Sequence, residues 1–186
     1  MRKLVVFNNV TLDGYFTSLN GDMSWAHSQD AELNAFVADN AKGGGALVLG
    51  RKTYDLMIQY WPTPLATQND PVVAERMNAM PKIVFSRTLD TASWSNTTLV
   101  KDDIAAEIRK LKHAPGANMT ILGSGSIVTQ LAQAELIDEF QVVVNPVVLG
   151  AGRTMFDGVK QQLNLKLTKS RTFGNGVVFL CYEPKA

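Results

Sequence analysis

Cysteine is nearly absent from this 186-residue chain. Cys181 stands alone, which excludes an internal disulfide and any cysteine-built zinc cluster. Histidine is almost as scarce: His27 and His113 lie far apart, without the i, i+4 spacing of a helical ligand pair, so no metal site is expected. Neither sign of charge predominates. The 18 Lys and Arg against 17 Asp and Glu leave a formal net charge of +1, and no global field draws the protein to nucleic acid or to a membrane surface. Long apolar runs are missing too, since nothing approaches the roughly 20 residues of a membrane span. The start, MRKLVVFNNVTLDG, reads as a first strand rather than a signal peptide. These absences favour a cytoplasmic protein whose partner is a small molecule.

What is present suits one globular domain over residues 1–186, with 46% hydrophobic and 19% charged residues. KLVVFNNV opens as a strand. The Gly-, Asn-, Asp- and Ser-rich TLDGYFTSLNGDMSWAHSQ that follows reads as a loop of the length that functional loops often have. From Asp30, DAELNAFVADNAK sets Leu33, Phe36 and Val37 on one helical face, and Gly43, Gly44 and Gly45 stop it. ALVL is a buried strand, and GRKTYDLMIQYW begins a helix ended by Pro62 and Pro64. NDPVVAERMNAM starts another helix at an N1 proline. KIVFS, TTLV and MTILG read as strands, DDIAAEIRKLK and SIVTQLAQAEL as helices, and IDEFQVVVNPVVLG carries a long strand. LKLTKSRTF and VVFLCYE flank Gly174-Asn175-Gly176, a strong hairpin signal. The alternation predicts an α/β fold: a mostly parallel central sheet, helices on both faces, and a C-terminal antiparallel hairpin. Cys181 reads as an inert core thiol, Tyr54, Met57, Ile58 and Trp61 as helix packing, and RKLKH at 109–113 as a basic helix end.

Ligands of such sheets sit beyond the carboxyl ends of the strands. Three strands here end in polar sequence: ALVL-GRKT, KIVF-SRT and MTIL-GSGS. GRKT puts Arg51 and Lys52 at a helix start, where free amides and the macrodipole already favour an anion, so cations there are unfavourable unless an anion joins them. In SRT, Ser86 and Arg87 follow a buried strand, and an arginine so placed is how sheet proteins accommodate an adenosine 2′-phosphate. In GSGS, Gly123 and Gly125 allow positive φ and close backbone approach, while Ser124 or Ser126 can cap the helix from Ile127.

Other motifs fail. The stretch from Gly45 to Gly50 is apolar where a phosphate loop needs exposed amides, and an extra arginine precedes the lysine. GSGS lacks the third glycine of a dinucleotide fingerprint, because Val128 occupies that position, and it is not a nucleophile elbow. Taken alone, GSGS fits a plain strand–helix turn as well as a phosphate cradle. Three such ends together point to one anion site.

LVLGRKTYD, KIVFSRT and ILGSGSIVTQL resemble, in order and approximate spacing, the cofactor motifs of the dihydrofolate reductase-like superfamily. TLDGYF and NPVVLGAGRTMF resemble more specifically the reductase domain of the bifunctional riboflavin-biosynthesis deaminase–reductase. The resemblance covers essentially the whole chain and implies NADPH as cofactor. It implies that Gly50, Arg51, Lys52 and Thr53 hold phosphates, with Arg51 or Lys52 near the 2′-phosphate. It likewise places Ser86 and Arg87 on the adenosine-phosphate side, and Leu122, Gly123, Ser124, Gly125 and Ser126 at the pyrophosphate. It further implies a homodimer and a reductase like the one acting on 5-amino-6-(5-phosphoribosylamino)uracil. No deaminase half is expected within these residues, which hold no cysteine–histidine zinc site.

For the acceptor, the first loop supplies Asp13 and Trp25, and the following helix Asp30, as candidate catalytic residues; Asp22, Glu32 and Asn34 lie nearby. A carboxylate can bond an aminopyrimidine edge, and Trp25 can shield the ring. Each acid also reads as a turn or helix-start residue. SWAHSQDAEL holds no Lys or Arg for a sugar phosphate, leaving His27 as its one possible cation. The alternatives are a dihydrofolate reductase proper and a non-catalytic nucleotide-binding domain on the same fold.

Overall fold

In a computed structural model that describes residues 1–28, 30–41 and 45–185, ten strands and six helices alternate. In chain order they are β1 (Leu4–Thr11), β2 (Tyr15–Thr17), a 3₁₀ turn (Ser24–Ala26), α1 (Ala31–Ala41), β3 (Ala46–Gly50), α2 (Arg51–Ile58), α3 (Pro64–Asn69), α4 (Pro71–Ala79), β4 (Lys82–Phe85), β5 (Thr97–Val100), α5 (Ile104–His113), β6 (Met119–Leu122), α6 (Gly125–Gln133), β7 (Glu139–Asn145), β8 (Arg153–Thr154), β9 (Leu165–Thr172) and β10 (Val178–Pro184).

Eight strands form one sheet in the order β5-β4-β3-β6-β1-β7-β10-β9. Every pairing from β5 to β7 is parallel, and β10 and β9 close the sheet antiparallel as the expected hairpin. Residues alternate between two faces. Leu4, Val6, Val48, Ile83 and Ile121 point to the face covered by α5 and α6, where they meet Ile108, Val128 and Leu131. The opposite face carries two clusters. Leu47, Leu49 and Val84 pack with Tyr54 of α2 and Met77 of α4, whereas Val143, Phe179 and Cys181 pack with Leu33 of α1. Helices therefore cover both faces, but on the second face α1 and α2 stand apart. That gap over the middle of the sheet positions the site.

Several sequence expectations need correction. The helix after ALVL stops at Ile58, short of Pro62 and Pro64, and Pro64 instead opens α3 behind Thr63, whose hydroxyl accepts the Ala66 N–H. The loop after β1 contains β2, which pairs with the distant β8, Tyr15 with Thr154 and Thr17 with Arg153. The helix after GSGS starts at Gly125 and ends at Gln133, so its start precedes Ile127. Lys112, in the basic helix end that the sequence suggested, is also buried, and its Nζ donates to the Asp138 carboxylate at 2.6 Å and the Leu136 carbonyl at 3.0 Å. Cys181 is buried as expected. The stop at Gly43 and Gly44 lies outside the described residues.

Candidate functional site

A cleft of about 940 Å³ runs along the carboxyl ends of the strands. All three polar strand ends open into it: Gly50–Thr53, Ser86 and Arg87, and Leu122–Ser126. The first and third are tied directly together. Gly50 N–H donates to Ser124 Oγ at 2.9 Å, Ser124 Oγ donates to Thr53 Oγ1 at 3.0 Å, and Ser124 N–H donates to the same Thr53 oxygen at 3.2 Å. Ser124 thus caps no amide of its own helix, contrary to the sequence expectation, because its hydroxyl is spent across the turn.

A second tie comes from β1. Asn8, buried in β1, accepts the Gly123 N–H at 2.7 Å and donates to the Gly123 carbonyl at 3.2 Å. Gly123 and Ser124 are both left-handed, at φ 55°, and this pair turns the chain sharply into α6. Gly125 itself is helical and not at positive φ. Its missing side chain gives room to Phe16, whose ring would stand 3.2 Å from a Cβ there. The first amides of α2 and α6 have no intrahelical acceptor and so open toward the cleft as anion donors.

Cations line the same cleft. Arg51 is committed to Asp55 at 2.6 Å, one helical turn away. Lys52, Arg87 and Lys101 are exposed, and among the described residues none has an acidic partner. Ser86 Oγ accepts the N–H groups of Thr88 at 3.3 Å and Leu89 at 3.0 Å, shaping the turn that carries Arg87. Arg153 lines the far end from β8. Lys101 follows a fourth strand end, TTLV-KDD, a signal of the same kind as the three that were read. Asn8, Asn9 and Arg153 were missed altogether, although two amides in an apolar strand were visible.

The candidate catalytic residues Asp13, Trp25 and Asp30 are not brought into the cleft, whose described lining excludes all three. Asp13 accepts the Thr11 hydroxyl at 2.6 Å and the N–H groups of Leu149 and Gly150 at 3.2 and 2.8 Å. The Thr11 bond first, and the two amides after it, hold its carboxyl below the usual range. Asp30 accepts the Leu33 N–H at 2.7 Å as a helix cap. Trp25 lies in the 3₁₀ turn, with a buried indole N–H that has no partner among the described residues. Glu32 pairs with Arg171, and Asn34 donates to the Ser28 carbonyl. Among the described residues, no three His, Cys, Asp or Glu group as metal ligands would, and no helix is long and apolar enough to cross a membrane.

Strand-to-helix turns opening on one sheet-end cleft, ringed by cations of which several lack an acidic partner among the described residues, define an α/β domain with an electropositive cleft. The chain belongs to the RibD C-terminal domain family, whose pattern matches residues 2–179. It is 33% identical over 182 residues to the uncharacterized protein YyaP of Bacillus subtilis (strain 168), covering 98% of this chain and 95% of that one. A protein ascribed to riboflavin biosynthesis from Shewanella sp. PV-4 has a similar structure, with TM-score 0.76, 23% identity and 99% of each chain covered. So has dihydrofolate reductase from Enterococcus faecalis complexed with NADP(H) and RAB-propyl, at TM-score 0.66 and 16% identity over 99% of this chain and 97% of that one. The fold is dihydrofolate reductase-like, and the family is of the reductase type.

Proposed function

We propose that this protein is an NADPH-dependent reductase of the riboflavin-reductase type, acting on a small heterocyclic or carbonyl-like acceptor. The observation that carries the reading is the convergence of Gly50–Thr53, Ser86–Arg87 and Gly123–Ser126 on one cleft, with Lys52 and Arg87 lacking an acidic partner among the described residues. The residues fit a dinucleotide. The amides at the starts of α2 and α6 suit the pyrophosphate, and Arg87 with Lys101 suits a further phosphate at the β4–β5 end. When bound, the reduced nicotinamide supplies a hydride. The chain's own residues position both partners and exclude water from the apolar part of the cleft. Asp13 and Asp30, engaged by backbone amides outside the cleft lining, have no part in the proton transfer.

Thermal-shift titration with NADPH, NADH, ATP and FMN tests the cofactor. NADPH is expected to stabilise the protein most, and Arg87→Ala to weaken NADPH more than NADH. Arg51→Ala has the smaller effect, because the Arg51 Nε is already engaged by Asp55. Equal binding of NADPH and NADH by the wild type overturns the 2′-phosphate assignment. A nucleotide-binding domain without turnover is the second reading, favoured by the absence of Asp13 and Asp30 from the cleft lining. NADPH oxidation with pteridine or pyrimidine acceptors separates the two.

A further inference from the structure

Asn8 and Asn9 are neighbours on β1, so their side chains point to opposite faces of the sheet. Asn8 faces Gly123. Asn9 shares its face with Phe7 and lines the cleft where α1 and α2 stand apart. The chamber there is walled by Phe7, Leu56 and Met57, and Leu56 is an apolar side chain left 61% exposed.

The orientation of the Asn9 amide is fixed from behind. Asn145 on β7 is buried at 4% exposure, and its Nδ2 donates to the carbonyls of Val10 at 3.3 Å and Val143 at 3.2 Å. Carbonyls only accept, so the nitrogen of Asn145 must face them. The same nitrogen stands 3.2 Å from Asn9 Oδ1. A flipped Asn9 would set donor against donor, so its oxygen stays on Asn145 and its Nδ2 is turned away. Among the described residues, that Nδ2 has no protein partner and is not sealed from solvent. The acids that line the cleft, Asp102 and Asp157, lie elsewhere. Asp102 follows β5, about 19 Å away across four strand spacings, and the Asp157 carbonyl accepts from Thr129 on the α6 side of the sheet.

We propose that Asn9, oriented by Asn145, determines acceptor specificity by donating its amide N–H to a ring carbonyl, selecting oxo-heterocycles over amino-substituted ones. The inference rests on the reductase reading for its acceptor chamber. A carbonyl placed at Asn9 is paired, whereas an amino group meets another donor and both lose their water without compensation. Asn9 touches the acceptor. Asn145 acts only through Asn9 and is a positioning residue.

The test uses two probes, 5-benzyl-2,4-dioxopyrimidine and 5-benzyl-2,4-diaminopyrimidine; their ring nitrogens differ as well, N–H in the first and bare in the second, so the change in ratio on altering Asn9 carries the assignment. Both are titrated calorimetrically into the full chain with and without NADP⁺. The wild type is expected to bind the dioxo probe at least about tenfold more tightly. Asn9→Asp turns a donor into an acceptor and reverses the preference. Asn9→Ala brings the two affinities together, and serves alone if Asn9→Asp fails to fold. Asn145→Ser narrows the ratio through lost orientation while NADP⁺ affinity holds, an effect that a merely structural role does not produce. The proposal is overturned if neither probe binds, if the wild type prefers the diamino probe or binds both alike, or if neither Asn9 variant moves the ratio. Loss of NADP⁺ binding with the ratio behaving as expected overturns the cofactor reading instead and leaves Asn9 standing.

Discussion

Asn8 reaches Gly123 through both ends of its amide, and an apolar side chain at this buried position reproduces neither bond. Asn8→Leu should leave the Gly123 N–H and carbonyl unpaired and destabilise the protein by about 1–3 kcal/mol. It should also weaken NADPH, because the left-handed turn into α6 loses its support; denaturant unfolding and cofactor titration read the two effects separately. Lys82 poses a different problem at the other end of the sheet. It is 1% exposed, donates to the carbonyls of Asn78, Met80 and Ser95, and sits 4.3 Å above the Trp94 ring. Burial pushes it down from the ordinary 10.5 to about 8. Between those values the unfolded chain holds a proton that the folded chain has released, so stability rises with pH across the window, by up to about 1.4 kcal/mol per unit. That increment is lost as pH falls through about 8. Lys82→Met should remove this rise, which the Cys181 thiol, pushed up by burial, opposes; denaturant midpoints of the two proteins between about pH 7.5 and 10.5 read the difference. The cleft residues Gly50–Thr53, Ser86–Arg87 and Gly123–Ser126 were legible because a strand end is a local signal. Asn8 was not, since its partner lies 115 positions away. Asp13 and Asp30 misled for a related reason: sequence shows a carboxylate but not the backbone amides that occupy it.

Among the elements, the long strands and the hairpin were readable from their own patterns, whereas β2, β8 and α3 were not. β2 and β8 have three and two residues, and each is a strand only because the other lies beside it. Helix α3 did carry a local mark, Thr63 before Pro64, but a proline that opens one helix is easily taken as the end of another. The β2–β8 ribbon bears on the cleft because Phe16 and the Thr154 carbonyl lie over Gly125. It depends on Gly152, where a Cβ would stand 2.5 Å from the Thr17 carbonyl oxygen and 2.8 Å from the Tyr15 ring. Gly152→Ala should therefore part the ribbon without touching the main sheet. Hydrogen exchange should quicken at residues 15–17 and 153–154 while β1 and β7 keep their protection; uniform loss of protection would contradict this division.

For the whole molecule, the large sheet and the cleft are one object, since the strands that carry the core also end at the turns that line the cleft. The α/β class was readable from alternation, but the strand order was not, because nothing local states which strands become neighbours. The order places the first strand near the centre, bonded on one side to β6 and on the other to β7. Both neighbours are encoded late. At ordinary rates of synthesis, β1 waits about 5–20 s between its own translation and that of β6. Over that interval LVVFNNVT emerges with both hydrogen-bonding edges bare. The two asparagines that later serve the cleft also interrupt the apolar run, making the nascent segment less adhesive while it waits for its sheet.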